Sequence, residues 1–197
     1  MHSSIIFTTL IIKSHSMKNI KFTLFAIIVM AIFSPLVEAQ KLPGLDSSPA
    51  DIAYLRQDGR KSAPVIKVVY GRPQKKGRTM LGGTEAYGKV WRAGANETTE
   101  IKFYKDVTLG DKQIAAGTYS LYTIPGKDEW TIIVNSKLDT WGAYEYDESK
   151  DVVRFKVPSG KTDSEVEAFT IAFEGEKGTG TMMLAWENTL VKIPVKF

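Results

Sequence analysis

Two alternating apolar segments joined by a tight turn place the strongest constraint on what this chain can fold into. Gly117–Ile124 reads GTYSLYTI and Glu129–Asn135 reads EWTIIVN, with Pro125 and Gly126 between them. A period of two residues is typical of a half-buried strand, and a Pro-Gly pair favours a turn. The sequence therefore predicts a β-hairpin whose second strand points Trp130 into a core.

The same pattern recurs along most of the chain. Turn signals such as Asp58-Gly59 and Gly110-Asp111 separate it into short segments, and the helical period of 3.6 residues is confined to the N-terminal region. Further strands are expected at residues 51–57, 64–70, 100–104, 107–109, 112–115, 151–157, 165–173, 181–186 and 190–197. About 8–10 short strands predict an all-β, single-domain antiparallel β-sandwich of the jelly-roll-like kind.

The N-terminus has the features of an export signal. A basic start from Met17, an apolar run at residues 22–33 and a small residue at Ala39 match the three regions of a signal peptide. The run is shorter than the roughly 20 residues that span a bilayer, so we expect no transmembrane segment. We predict a signal peptide at residues 1–39 with a true start at Met17, an extended arm at 40–50, and the β-sandwich domain at 51–197.

A basic, glycine-rich stretch at residues 70–99 is not explained by the strand pattern. It contains six glycines and six cationic side chains. Arg72, Arg78 and Arg92 could converge on an anionic ligand, since guanidinium groups bind carboxylate, sulfate or phosphate with two hydrogen bonds. They could instead form internal ion pairs, for example with Glu97 or Glu187, and hold a long loop over the sheet. The third alternative is that they are solvated surface charges.

Several classes of chemistry are excluded by what the exported part of the chain lacks. Both histidines, His2 and His15, precede Ala39, and the chain has no cysteine. Serine–histidine and cysteine–histidine nucleophiles are therefore absent, and so are zinc sites built on imidazole or thiolate. No phosphate-loop spacing is present, and the net charge is only +4, so we expect no cofactor, no metal and no nucleic-acid partner.

The aromatic and acidic residues supply the remaining candidates. Trp130 and Trp186 lie on alternating apolar faces and are predicted to be buried, whereas Trp141 lies in a predicted loop and is the better candidate for an exposed ring. A carboxylate hydrolase would need two acidic side chains a few ångströms apart. The candidate ligand-binding residues are Arg72, Arg78, Tyr87, Trp91, Arg92, Asn96, Glu97, Trp141, Tyr144, Glu187 and Asn188.

Four motifs in order resemble one known family. They are YGRPQKKGRTMLGGTEAYGKVWRAGANE at residues 70–97, AGTYSLYTIPG…WTIIVN at 116–135, WGAYEYDESKDVVRFKV at 141–157, and LAWENTLVKI at 184–193. This pattern resembles that of the secreted bacterial domain-of-unknown-function 2911 family, with small departures at residues 80–81, 85–86 and 93. The resemblance implies export and an all-β domain, and it supplies no activity, substrate or catalytic residue.

The leading interpretation is a non-catalytic periplasmic or extracellular module that binds a glycan or a small anionic ligand. Residues 70–99 and 141–147 would form its binding surface, because binding residues are commonly carried on loops. One alternative is a hydrolase that uses carboxylates without histidine or cysteine, which would require Glu97 and Glu187 to meet in a cleft. The other is a structural module of the cell envelope, which would bury Trp91 and Arg92.

Overall fold

The predicted hairpin is present and lies at the centre of the sheet. In the computed structural model, which describes residues 40–197, Leu121 pairs with Val134 and Thr123 with Ile132 in antiparallel register. The predicted signal peptide lies outside the described residues. Residues 45–197 form one compact unit.

Nine strands form one antiparallel sheet, which confirms the prediction of an all-β fold. Their spatial order is β1-β2-β3-β6-β7-β8-β9-β4-β5. The strands are β1 (Ala50–Arg56), β2 (Pro64–Gly71), β3 (Ala95–Phe103), β4 (Val107–Leu109), β5 (Lys112–Ile114), β6 (Gly117–Ile124), β7 (Glu129–Asn135), β8 (Asp151–Glu176) and β9 (Thr179–Lys196). A 3₁₀ turn at Glu148–Lys150 precedes β8. Within residues 40–197, no helix is long and apolar enough to span a membrane.

Two strands are far longer than the sequence predicts. β8 has 26 residues and β9 has 18, and each joins two segments that we expected to be separate strands. The register of the β8–β9 pair shifts between Lys161 and Val166 and again between Val166 and Thr170. Such irregularities bend a strand and increase its twist. The first part of β8 therefore pairs with β7, while Phe173 and Gly175 near its end lie beside residues 54–56 of β1.

The bend lets one sheet cover both sides of a single core. Val68, Ile101 and Ile132 come from β2, β3 and β7, while Leu184 and Ile193 come from β9, and all are fully buried. Alternation of apolar residues along each strand supplies this core because successive side chains point to opposite faces. The predicted burial of Trp130 and Trp186 is confirmed, with exposures of 1% and 0%.

Strand β3 begins earlier than expected, at Ala95 instead of Glu100. Ala95 pairs with Gly71, and a Cβ atom placed on Gly71 would lie 2.2 Å from the Ala95 carbonyl oxygen. The glycine permits this close approach of two backbones. Asn96 and Glu97 therefore belong to a strand, and the connection between β2 and β3 is limited to residues 72–94.

A second cluster covers the outer face of β6. Tyr122 is fully buried although it lies outside the main core cluster, to which its neighbour Leu121 belongs. Its ring packs edge-on against Tyr146 at 5.1 Å, and its hydroxyl lies 3.1 Å from the Thr140 hydroxyl. Both partners lie in the segment between β7 and β8, which therefore packs on the sheet at a defined position.

Candidate functional site

The connection at residues 72–94 is attached to both sides of the core. Lys75 N–H donates to the Glu167 carbonyl at 2.9 Å, and Phe169 N–H donates to the Pro73 carbonyl at the same distance. At the other end, Trp91 and Thr123 exchange two backbone hydrogen bonds of 2.7 and 2.8 Å. A segment with this many long-range backbone bonds is ordered as part of the domain.

Trp91 is the apolar anchor of this connection. Its side chain is 3% exposed and stacks on Trp186 at a centroid distance of 5.6 Å. Phe169 and Trp130 contact the same ring edge-on at 4.8 and 6.2 Å. The indole N–H is satisfied by the Gly94 carbonyl at 3.1 Å. The structure thus places this candidate in the core, away from any ligand that approaches from solvent.

The arginines bind different parts of the protein. Arg72 forms an ion pair with Asp51 at 2.9 Å and donates to the Thr170 hydroxyl at 2.8 Å. Arg78 donates to the carbonyl oxygens of Lys75 and Gln74, at 2.9 and 2.8 Å, within its own loop. Of the three alternatives, internal pairing therefore describes Arg72, with Asp51 as the partner in place of Glu97 or Glu187.

Arg92 is accompanied by a half-buried carboxyl group. Burial raises the pKa of Glu85, and the positive charge of Arg92 opposes that rise. The Arg92 Nε atom is itself buried without a hydrogen-bond partner among residues 40–197. Because none of Arg72, Arg78 and Arg92 lines the cavity described below, this geometry does not favour an anionic ligand there.

Glu187 holds the middle of the connection. Its two carboxylate oxygens accept hydrogen bonds from the backbone amides of Met80 at 2.8 Å and Leu81 at 3.0 Å. Glu187 has a left-handed backbone with φ of 53°, an uncommon conformation for a residue with a side chain. Both oxygens are thus engaged in a structural contact.

Two further candidate residues lie outside this contact. Asn188, the next residue of β9, is exposed, and Tyr87 packs its ring over Gly82.

A cavity of about 510 Å³ lies on the outer face of the sheet, apart from residues 72–94. Its walls come from residues 69–71 of β2, the start of β3, and residues 138–141. Three of the candidate residues, Asn96, Glu97 and Trp141, line it together. Trp141 is 57% exposed, which confirms the prediction of an exposed ring, and Tyr144 is 87% exposed but does not line the cavity.

Backbone and hydroxyl bonds hold the two sides of this cavity together. Thr98 N–H donates to the Thr140 carbonyl at 3.0 Å, and Gly142 N–H donates to the Asn96 carbonyl at 3.1 Å. The Thr98 hydroxyl donates to the Gly142 carbonyl at 2.6 Å. These bonds place Glu97 and Trp141 opposite each other in an isolated bridge. The site is therefore preorganised by the fold.

Asn96 joins the N-terminal arm to the same cavity. Its side-chain amide donates to Asp46 Oδ1 at 3.0 Å, and Ser48, two residues further along the arm, lines the cavity. Hydrogen bonds from the Ser48 amide and then from Asn96 lower the pKa of Asp46. Asn96 has a φ of 62° and Asp139 one of 57°. Asparagine and aspartate tolerate this left-handed conformation better than most residues.

The charges that face the cavity are negative. Glu97, Glu100 and Asp139 line it, and the lining contains no lysine or arginine. Only Glu100 has a basic neighbour, with Lys67 Nζ 3.8 Å from its carboxylate. The sequence reasoning missed Asp139, Thr98 and Thr140 because their proximity depends on contacts between distant segments. Among residues 40–197, no group of three or more acidic or histidine side chains is arranged to hold a metal ion.

A polar network supports the loop that carries Trp141. The Tyr146 hydroxyl donates to Asp151 Oδ2 at 2.7 Å, and Asn135 donates to Asp151 Oδ1 at 2.8 Å. Arg154 also donates to Asp151, at 3.0 Å. Burial, followed by the contact with Asp151, raises the pKa of Tyr146 to about 12.

This network predicts a loss of stability at alkaline pH. In the unfolded chain Tyr146 ionises near its ordinary value of 10.0, whereas in the folded protein it keeps its proton to about 12. The unfolded state then binds fewer protons, so the free energy of unfolding falls as the pH rises from about 10 towards 12. We expect Tyr146→Phe to remove this part of the pH dependence and to cost about 1 kcal/mol at neutral pH. Urea unfolding at several pH values measures both effects.

The matched control is Tyr144→Phe, which changes an exposed tyrosine of the same loop. It should leave both the neutral stability and the alkaline slope unchanged. Identical alkaline slopes for the two variants would contradict the assigned role of Tyr146.

Comparison with known proteins assigns the chain to a family without assigning an activity. No curated protein and no solved structure matches it. One family model, described as a protein of unknown function (DUF2911), matches residues 50–195. That match runs from the start of β1 to within one residue of the end of β9, and it includes the connection at residues 72–94 and all of the cavity lining except Ser48. The chain therefore belongs to the DUF2911 family, as the motifs in its sequence predict.

Proposed function

We propose that this protein is an exported, non-catalytic binding module that takes a sugar-sized ligand in the cavity beside Trp141. The observation that carries the proposal is the indole ring of Trp141, which is 57% exposed at a cavity of about 510 Å³. Ligand pockets have volumes of roughly 300–1,000 Å³. A large aromatic ring that remains exposed while three other tryptophans are buried is available for a ligand.

The chemistry of the lining suits a carbohydrate. The apolar face of a sugar ring can pack on the indole of Trp141, since an aromatic face provides a large contact area. The Glu97 carboxylate can accept hydrogen bonds from hydroxyl groups of a sugar, while the Thr98 and Thr140 hydroxyls hold the cavity wall through bonds within the protein. A site that combines apolar surface with a few polar groups is typical of small-ligand binding. Export, inferred from the features at residues 17–39, would bring the module to envelope or extracellular glycans.

The carboxylate pair suggested for hydrolysis gains no support from the geometry. Glu97 lines the cavity, but Glu187 does not, and both oxygens of Glu187 bind backbone amides. Two further acidic residues are engaged within the protein as well: Glu129 is paired with Lys156, and Asp147 accepts a hydrogen bond from Ser149 at the 3₁₀ turn. We therefore propose binding and not hydrolysis.

A purely structural role is the second candidate, and the burial of Trp91 favours it for one segment. Residues 72–94 are held by backbone bonds, by Trp91 and by Glu187. They contribute nothing to the lining of the cavity. The structural role thus accounts for the connection and leaves the cavity to be explained by a ligand.

Calorimetric titration of residues 40–197 with a panel of oligosaccharides tests the binding proposal. The panel should contain glucose, N-acetylglucosamine and glucosamine oligomers together with peptidoglycan fragments. We expect saturable binding of at least one member. Trp141→Ala should weaken that binding at least tenfold, which corresponds to about 1.4 kcal/mol.

The control variant is Tyr144→Ala, which removes an exposed ring of the same loop outside the cavity. It should retain the affinity of the unchanged domain. Absence of binding across the panel, or full affinity in Trp141→Ala, would rule out the proposed site.

A further inference from the structure

The negative charges of the cavity bear on which kind of sugar it takes. Glu97, Glu100 and Asp139 come from two separate segments and line one cavity of about 510 Å³. Among residues 40–197, neither Glu97 nor Asp139 forms a side-chain ion pair, whereas the Glu100 carboxylate lies 3.8 Å from Lys67 Nζ. Elsewhere on the domain, acidic groups such as Asp51, Glu165 and Glu129 have a basic partner. Exposed carboxylates outside the cavity, such as that of Glu174, also stand without an ion pair among residues 40–197, but here two of them, Glu97 and Asp139, line one cavity.

Uncompensated carboxylates around a partly enclosed cavity favour a cation. Their charges act over a few ångströms and are screened less in a cleft than on an open surface. An anionic ligand would meet like charges, which oppose its binding. A ligand that carries a positive charge would instead be attracted.

Trp141 adds a second reason for a cation at the same place. The face of an indole ring attracts an ammonium group through its quadrupole, and this attraction grows when water is excluded. Glu97 and Trp141 are held opposite each other by the isolated bridge between β3 and the loop. An ammonium group could then contact the carboxylate on one side and the ring on the other.

We infer that the ligand is an amino sugar with a free, protonated amine. This inference rests on the proposed function, because it takes a sugar on Trp141 as given and adds the charge of the sugar. The sugar ring would pack on the indole, and its ammonium group would lie among Glu97, Asp139 and Glu100. An acetylated amine would lose both the charge and the ion pairs.

Two trisaccharides that differ only in acetylation provide the test. Glucosamine trimer and N-acetylglucosamine trimer share ring stereochemistry and linkage. Any difference between their affinities is therefore caused by the free amine. We expect the aminated trimer to bind at least tenfold more tightly, and the preference to shrink as the salt concentration rises.

Variants that each remove one negative charge show which carboxylates cause the preference for the aminated trimer. Glu97→Gln and Asp139→Asn should each reduce the preference for the aminated trimer by threefold or more. Glu174→Gln is the matched control, since it removes an exposed carboxylate of β8 that does not line the cavity. It should leave the preference unchanged. Thermal unfolding of each variant shows whether the domain has remained folded.

The outcomes separate this inference from the proposed function. Equal affinity for the two trimers would overturn the inference and leave sugar binding intact. Failure of every sugar in the panel to bind would overturn both. Putrescine is the last ligand to be tested, because it is a cation without a sugar ring. If putrescine bound as tightly as the aminated trimer, the sugar ring would contribute nothing to the affinity. That result would overturn the assignment of an amino sugar.

Discussion

Replacing Trp91 with alanine is expected to lower the free energy of unfolding by about 3–5 kcal/mol, the usual cost of deleting a large aromatic side chain from a core. Three buried rings, those of Trp130, Phe169 and Trp186, contact this indole and would border the cavity that its removal leaves. The change also removes the hydrogen bond to the Gly94 carbonyl. Guanidinium unfolding followed by circular dichroism measures the loss.

The matched control for this variant is Trp141→Ala, which deletes the same side chain from an exposed position. Surface substitutions usually change stability by less than about 0.5 kcal/mol. If Trp91→Ala proves too unstable to purify, Trp91→Phe keeps most of the buried area and should cost about 1–2 kcal/mol. Equal stability of the Trp91 and Trp141 alanine variants would contradict the assignment of Trp91 to the core.

The strands were predictable because the side chains that face the main core recur at every second position. Trp130, Ile132 and Val134 do so along β7, although Ile133 is buried as well, on the other face of the sheet. The length of β8 was not predictable in the same way. Its middle reads SGKTDSE, a composition that is typical of a loop, yet these residues continue a strand whose register shifts against β9. Pairing with a distant strand overrides local preference there.

The partners of the arginines depend on strand register, which the sequence does not display. Asp51 pairs with Tyr70 across β1 and β2, and Arg72 lies two residues beyond Tyr70 on the same face. An ion pair between Asp51 and Arg72 follows once that register is known. Without it, Glu97 and Glu187 are equally plausible partners.

The candidate site was only partly predictable, because it is formed by segments that lie far apart in the sequence. The exposed ring of Trp141 follows from the neighbouring Gly142 and the loop composition around it. The residues that face it, Asn96 and Glu97, were candidates only because they lie at the end of the basic stretch. Their contact with residues 138–141 depends on the hydrogen bond from Thr98 to the Thr140 carbonyl, which joins segments far apart in sequence. Local composition cannot report such a contact.

Glu187→Gln is expected to lower the free energy of unfolding by about 1.5–3 kcal/mol, the range for a hydrogen bond to a charged group. The carboxylate of Glu187 accepts from two amides, those of Met80 and Leu81, and uses one oxygen for each. Glutamine has one acceptor oxygen, and its amino group would face an N–H donor. One backbone amide is then left without a partner.

The same change should expose the connection at residues 72–94 to protease. This segment carries tryptic sites at Lys76, Arg78, Lys89 and Arg92. Cleavage requires local opening, so its rate follows the population of the open form. A loss of about 1.4 kcal/mol corresponds to a tenfold larger open population. We therefore expect trypsin to cut the Glu187→Gln variant at least tenfold faster within this segment under native conditions.

Glu165→Gln is the matched control, because Glu165 contacts the same connection through the Lys75 side chain and not through the backbone. A surface ion pair contributes only about 0–1 kcal/mol. The control should therefore unfold and be cut almost as the unchanged domain is. If Glu187→Gln behaved like this control in both assays, the connection would be held by Trp91 and the backbone bonds alone. If it unfolded earlier without faster cleavage in residues 72–94, Glu187 would stabilise β9 and not the connection.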